Sequence, residues 1–179
     1  MKTWITSDTH FGSQRTLEFS KRPFSSVTEM DRVMIENWNK LVQPIDRVLH
    51  LGDFGNIDRR TDLNGHITLL CGNYEDDYEF EVLENVFNKV IPRFKYYTTI
   101  GPNSEPYELV HEPSKAKARR FVLYGHIHEK GMIKKNGLNV GVDCHHFKPI
   151  DWSTIVFYKE AILKHYDNEV FCSSCGRED

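Results

Sequence analysis

The sequence predicts a mixed α/β fold built in layers. Short β-branched and aromatic runs alternate with helical stripes through the first half of the chain, and consecutive strand candidates fill the second half. Composition agrees: 179 residues, 39% hydrophobic and 27% charged, suffice to bury a core and are too balanced for a disordered or fibrous chain. No repeat or Pro/Gly-rich linker divides the sequence, so it reads as one domain over residues 1–165 with a tail at 166–179.

The elements follow in order. Lys2 to Thr6 is β-branched and aromatic and ends in polar residues, a strand leading into a loop. Ser26-Val27-Thr28-Glu29 has the form of a capping box, and Met30, Val33, Met34, Trp38 and Leu41 make a helical stripe that Pro44 closes. Arg47 to Leu51 reads as a buried strand breaking at Gly52-Asp53, and Ile67 to Cys71 repeats that design, breaking at Gly72-Asn73. The acidic run Glu75-Asp76-Asp77 is placed to cap a following helix, Asp77 to Val90, with Phe80, Leu83, Val86 and Phe87 on one face. Tyr96 to Ile100, Glu108 to His111, Arg120 to Tyr124, Leu138 to Val142 and Thr154 to Tyr158 predict strands.

Charge and cysteine usage narrow the function. With 23 basic and 26 acidic residues the net charge is −3, which argues against wrapping by DNA or RNA. Apolar runs such as Ile67 to Cys71 stop far short of the roughly 20 residues that span a bilayer. The N-terminus meets Asp8 before a signal-peptide core could form, so a soluble, cytoplasmic protein is expected. Cys71 and Cys144 stand singly in apolar surroundings, as reduced buried residues do. Cys172-Ser-Ser-Cys175 has the spacing of half a zinc site, but no second pair lies nearby and a frayed tail is the expectation.

One pattern recurs: a strand, a glycine or polar break, then a residue able to bind metal. It occurs at Asp8-Thr9-His10, Gly52-Asp53, Gly72-Asn73, Val110-His111 and Gly125-His126-Ile127-His128. Loops at strand ends let a rigid frame aim several side chains at one point. Any one of these motifs alone fits ordinary core packing or hydrogen bonding; their joint occurrence points to a metal centre. Carboxylate, imidazole and amide donors without thiolate suit Mn²⁺, Fe, Zn²⁺, Ni²⁺ or Co²⁺. Seven candidate ligands, Asp8, His10, Asp53, Asn73, His111, His126 and His128, exceed one tetrahedral ion and match two ions sharing a bridging carboxylate.

In order and type these motifs resemble the calcineurin-like metallophosphoesterase superfamily, from residue 4 to about residue 158. Ser7-Asp8-Thr9-His10-Phe11-Gly12, Arg22-Pro23-Phe24, Asn37-Trp38-Asn39 and Asn139-Val140-Gly141-Val142-Asp143 resemble its small single-domain bacterial and phage members. The resemblance implies two central mixed β-sheets flanked by helices, with two divalent ions, Mn²⁺ first, at the sheet ends. It assigns Asp8, His10, Asp53 and His128 to one ion and Asp53, Asn73, His111 and His126 to the other. The implied reaction is hydrolysis of a phosphate ester by hydroxide generated at the metals, with a small phosphodiester or nucleotide-like ester as partner.

The sequence departs from the family pattern at Gly72-Asn73-Tyr74-Glu75, where a histidine usually follows the asparagine. A tyrosine hydroxyl donates a hydrogen bond but holds its proton too tightly for general-acid work near neutral pH. Asn73 and Tyr74 are therefore the catalytic candidates, with His145 or His146 as possible substitutes for the missing imidazole. Arg22 is a candidate phosphate ligand, because guanidinium matches phosphate oxygens bidentately. Ser13 stands where close relatives often have histidine. Competing readings are a nuclease or RNA-end-processing enzyme, a non-catalytic scaffold and a metal-binding sensor.

Overall fold

The computed structural model describes residues 1–171 apart from Ala118, so the Cys172–Cys175 motif lies outside the described residues. The first sheet begins with four parallel strands side by side, β1 (Thr3–Thr6), β2 (Arg47–His50), β3 (His66–Leu70) and β4 (Lys89–Ile91). In the second, β5 (Tyr97–Ile100) lies antiparallel to β6 (Pro106–Leu109), and β6 runs parallel to β7 (Phe121–Tyr124). Next comes β9 (Gly137–Asn139), parallel to β7, with β8 (Ile133–Lys134) antiparallel at its edge. The chain then returns to the first sheet as β10 (Ile150–Asp151), antiparallel to β1. Both sheets are thus mixed, five-stranded and flanked by helices.

Alternation along the strands explains the layers, because successive side chains point to opposite faces. Trp4, Val48, Ile67 and Leu69 pack under α2 (Val27–Leu41) with Met30, Met34 and Trp38. Ile5, Leu49, Leu70 and Ile91 face the other way, onto Tyr107, Leu109, Phe121, Leu123 and Leu138 of the second sheet. Each such large side chain contributes about 1.5–3 kcal/mol relative to exposure. Helix α2 starts as the sequence predicts, with the Ser26 hydroxyl accepting from Glu29 N at 3.1 Å. The Glu29 carboxylate, however, accepts from the backbone and hydroxyl of Ser25.

Two elements differ from the sequence reading. Only Phe80–Val86 of the 77–90 segment is helical (α3); Lys89–Ile91 leaves it to pair with β3, and Phe80 is exposed. Thr154 to Tyr158 is not a strand but part of α4 (Trp152–Lys164). Asp151 caps that helix by accepting from Thr154 N at 3.1 Å, and Ile155 and Ile162 join the core between the sheets. A short helix that the sequence reading lacks, α1 (Gln14–Phe19), is capped by Ser13, whose Oγ accepts from Thr16 N at 3.1 Å. Among the described residues no helix is long and apolar enough to cross a membrane.

In-register pairing brings the C-terminal ends of β1, β2 and β3 to one edge, since Thr6 lies opposite His50 and His50 opposite Leu69. His111 and His126 each stand two residues past the ends of the parallel strands β6 and β7. Ser7 joins the sheets at this edge through a bridge to Gly141, with Val142 N donating to Ser7 O at 3.0 Å.

Candidate metal centre

All seven candidate ligands meet where the strand ends converge. Beyond β1 and β2 the loops stay in register, with Asp8 N donating to Gly52 O and His10 N to Asp53 O, both at 3.0 Å. The pairing forces sharp turns: Asp8, His10, Asp53, His126 and His128 all have positive φ, between 49° and 73°. Gly52 carries φ +95°, and a Cβ there would lie 2.5 Å from Gly72 N and 2.8 Å from the His111 ring. A Cβ on Gly72 would collide with the Asp53 carboxylate. Both glycines therefore let backbone approach the centre where no other residue fits.

Two groups form. The ligand atoms of Asp8, His10 and His128 lie within 4.8 Å of one another, as do those of Asp53, His111 and His126. The Asp53 carboxylate stands between them, Oδ2 3.4 Å from His10 Nε2 and Oδ1 3.3 Å from His111 Nε2. Asn73 Oδ1 and His126 Nδ1 each lie 3.3 Å from His111 Nε2. The outer nitrogens fix the rings: His111 Nδ1–H donates to Leu51 O at 2.7 Å and His128 Nδ1–H to Asp143 Oδ2 at 3.0 Å, leaving each Nε2 for the centre. Among the described residues neither of the two buried nitrogens of His10 has a hydrogen-bond partner. Such orphaned donors and acceptors are costly unless something else satisfies them, and a cation would.

Electrostatics point the same way. Burial, seconded by the Asp53 carboxylate, pushes the Asp8 carboxyl above its ordinary value. Burial alone would raise Asp53 too, but His111, His10 and the Tyr74 N–H hold it well below the usual carboxylate range. Burial drives His10 down to about 3. It also opposes a charge on His111, yet Asp53 and Asp8 outweigh it and lift that imidazole to about 9. Two buried carboxylates thus draw positive charge to this point, and nitrogen and oxygen donors without thiolate fit a divalent transition metal.

Around the ligands the structure shows residues whose roles spacing alone does not reveal. Glu75 caps no helix from outside; its buried carboxylate accepts from Gly72 N at 2.6 Å, Asp53 N at 2.9 Å and Phe54 N at 2.8 Å, tying two ligand loops together. Arg22 is buried beneath the centre. Its Nε and Nη2 hold Asp143 at 2.8 Å each, while Nη2 also donates to Asp8 O and Nη1 to Thr9 O. That placement corrects the expectation of a phosphate ligand, because the guanidinium does not line the cleft. Nor does either substitute histidine: His145 is buried and donates to Asn139 O at 2.7 Å, and His146 is exposed outside the cleft. His50 donates from Nε2 to the Thr9 hydroxyl at 3.0 Å, which itself donates to Phe54 O.

The centre floors an open cleft of about 470 Å³. Its walls carry Arg15, Lys130, Phe19 and Ile127, and Tyr74 stands edge-on to the His10 ring with centroids 4.4 Å apart. Past Tyr74 it continues into a recess bounded by Ser13, Arg15 and Asp77. The model of the calcineurin-like phosphoesterase superfamily domain matches residues 1–146. The chain belongs to the calcineurin-like phosphoesterase superfamily. The uncharacterized protein MJ1445 of Methanocaldococcus jannaschii is 28% identical over 174 residues, 87% of this chain and 89% of that one. The protein of unknown function AQ665 from Aquifex aeolicus shares the fold with TM-score 0.72 and 22% identity, covering 88% of this chain and 98% of its own. An archaeal phosphodiesterase overlaps more loosely, with TM-score 0.44 and 21% identity over 79% of this chain and 82% of that one, too distant to inform function.

Proposed function

We propose that this calcineurin-like protein is a dinuclear metal-dependent phosphoesterase acting on phosphodiesters or small nucleotide-like phosphate esters. The observation that carries this reading is the convergence of two candidate ligand groups on the two oxygens of one buried carboxylate, Asp53, at the floor of an open cleft. Asp8, His10, His128 and Asp53 would hold one ion, and Asp53, Asn73, His111 and His126 the other. Two divalent ions, Mn²⁺ first, with Fe, Zn²⁺, Ni²⁺ or Co²⁺ as alternatives, would supply an activated water and neutralise phosphate charge.

The chain's own residues supply the rest. Arg15 and Lys130 offer cations to ester oxygens from the cleft walls, and Phe19 with Ile127 makes an apolar wall for an organic arm. The recess past Tyr74 leaves room for a second arm, which favours a diester over a monoester. Tyr74 can donate a hydrogen bond beside His10, but every imidazole lining the cleft, His10, His126 and His128, is a candidate metal ligand, which leaves none to protonate a leaving oxygen. Esters with good leaving groups should therefore turn over best.

The test strips the protein with chelator and restores Mn²⁺, Ni²⁺, Co²⁺, Zn²⁺ or Mg²⁺ in turn. Hydrolysis of bis(p-nitrophenyl) phosphate is then compared with that of p-nitrophenyl phosphate, with Asp53→Ala as control. The expected result is metal-restored turnover that favours the diester and vanishes in the control. Bound metal without turnover of either ester would overturn the phosphoesterase reading, and failure to bind metal would leave a scaffold.

A further inference from the structure

Residues 113–135 hold seven lysines and arginines against one glutamate, in a chain of net charge −3. The fold lays several of these cations along the side of the second sheet turned away from the first. Lys117 N donates to Glu108 on that side of β6 at 2.7 Å. Lys115 follows closely on His111, whereas Arg119 and Arg120 precede β7 at the opposite strand ends, where Asn136 ties Arg120 beside Lys135. The stripe therefore begins beside the candidate metal centre and runs away from it.

Aromatic rings interleave with these cations. Phe94 is 66% exposed and Tyr96 40% exposed. The Lys115 ammonium lies 5.5 Å from the Phe94 ring and the Lys117 ammonium 4.5 Å from the Tyr96 ring. Phe94, Tyr96, Lys115 and Lys117 line one crevice, whose wall includes His111. Arg93 beside them is neutralised by Asp76 and Glu112, but Lys95, Lys115, Lys117, Arg119 and Arg120 make no ion pair among the described residues. Cations without ion pairs, with exposed aromatic side chains among them, match a polyanion whose flat rings can exchange with the cations now lying over Phe94 and Tyr96.

We propose that this stripe binds a single strand of nucleic acid, phosphates on the lysines and arginines and bases stacked on Phe94 and Tyr96, and leads it toward the metal centre. Delivery to a reaction rests on the phosphoesterase reading above; binding does not. A duplex keeps its base faces stacked inside and would leave both rings unused, so the single strand is the better fit. Of the two carboxylates in the crevice, Glu108 is buried and accepts from Lys117 N, and Glu112 is held by Arg93.

The experiment uses the full chain in chelator, so that binding is read without hydrolysis. A fluorescein-labelled mixed-sequence oligonucleotide is titrated as single-stranded RNA, single-stranded DNA and duplex, with anisotropy followed across a salt series. Either single strand should bind, more tightly than duplex, with affinity falling as salt rises. Lys115→Glu/Lys117→Glu should lower affinity about tenfold or more and reduce the log–log salt slope by about 1.4, at about 0.7 per lost phosphate contact. Phe94→Ala/Tyr96→Ala should weaken binding about fivefold or more at an unchanged slope. No binding at low salt, equal binding by the charge-reversed variant, or preference for duplex overturns the proposal. So does binding of phosphatidylglycerol vesicles but not of oligonucleotide, which would make the stripe a membrane surface. Metal-dependent turnover of bis(p-nitrophenyl) phosphate, measured on the same proteins, tests the phosphoesterase reading separately.

Discussion

Arg22, Asp143 and His128 form a chain of contacts from the core to a candidate ligand. Arg22 holds both oxygens of Asp143, and Asp143 accepts from His128 Nδ1 at 3.0 Å, orienting the ring whose Nε2 faces the centre. The same guanidinium holds the carbonyls of Asp8 and Thr9, so it positions two ligand segments at once. Asp143→Asn keeps the shape but weakens the acceptor, and loss of such an outer partner lowers metal affinity about 10- to 100-fold. Arg22→Lys should do likewise, because one ammonium cannot span a carboxylate and two carbonyls. Calorimetric metal titration should show the weakened affinity in both variants, while KM for the diester at saturating metal stays near wild type. A raised KM with unchanged metal affinity in Arg22→Lys would return the guanidinium to the substrate.

At the scale of elements, the edge opposite the site is pinned by Asp46, which accepts from Lys2 N at 2.6 Å, Trp4 Nε1 at 3.1 Å and Gln43 N at 3.1 Å. These donors, Lys2 N foremost, lower the Asp46 carboxyl to about 2. A carboxyl depressed on folding stabilises above its unfolded pKa, about 3.9, and that contribution is lost as pH falls toward 2. Asp46→Asn should therefore show a shallower loss of stability between those pH values, read from urea midpoints. The sequence signalled β1, β2, β3 and α2 clearly because they alternate or repeat against a buried face and end in glycine, asparagine or a serine cap. It misled at Thr154 to Tyr158, where β-branched and aromatic residues favour a strand locally. The Asp151 cap and the core-facing Ile155 and Ile162 make a helix instead, so tertiary packing overrides propensity. The seven ligand positions were visible because each follows a strand break; Glu75, Asp143 and the buried course of Arg22 were not, because they act through side-chain contacts that no local motif marks, up to 121 residues distant.

On the scale of the whole molecule, the two cores hold a site that is unfavourable on its own. Five of the seven candidate ligands sit at positive φ, at a cost of order about 1–3 kcal/mol each. That total is comparable to the roughly 5–15 kcal/mol by which whole domains are stable. Asp8 adds to it, since burial raises its carboxyl and so disfavours the ionised form. A cation that binds the folded chain and not the unfolded one offsets this by about 2.7 kcal/mol per site at a hundredfold excess over Kd. For a chain of this length that corresponds to about 5–10 °C in Tm. Calorimetric or fluorescence melts in chelator and in excess Mn²⁺ should therefore separate by at least that much. Asp8→Asn supplies the sharper comparison: it keeps an oxygen for the His126 N–H, now held at 2.9 and 3.1 Å, and removes the disfavoured charge. Its metal-free Tm should rise above that of wild type while its response to Mn²⁺ shrinks, so the two orders of stability cross on adding metal. A fall in metal-free Tm with the Mn²⁺ shift intact would mean that the Asp8 carboxylate serves the fold and not a cation.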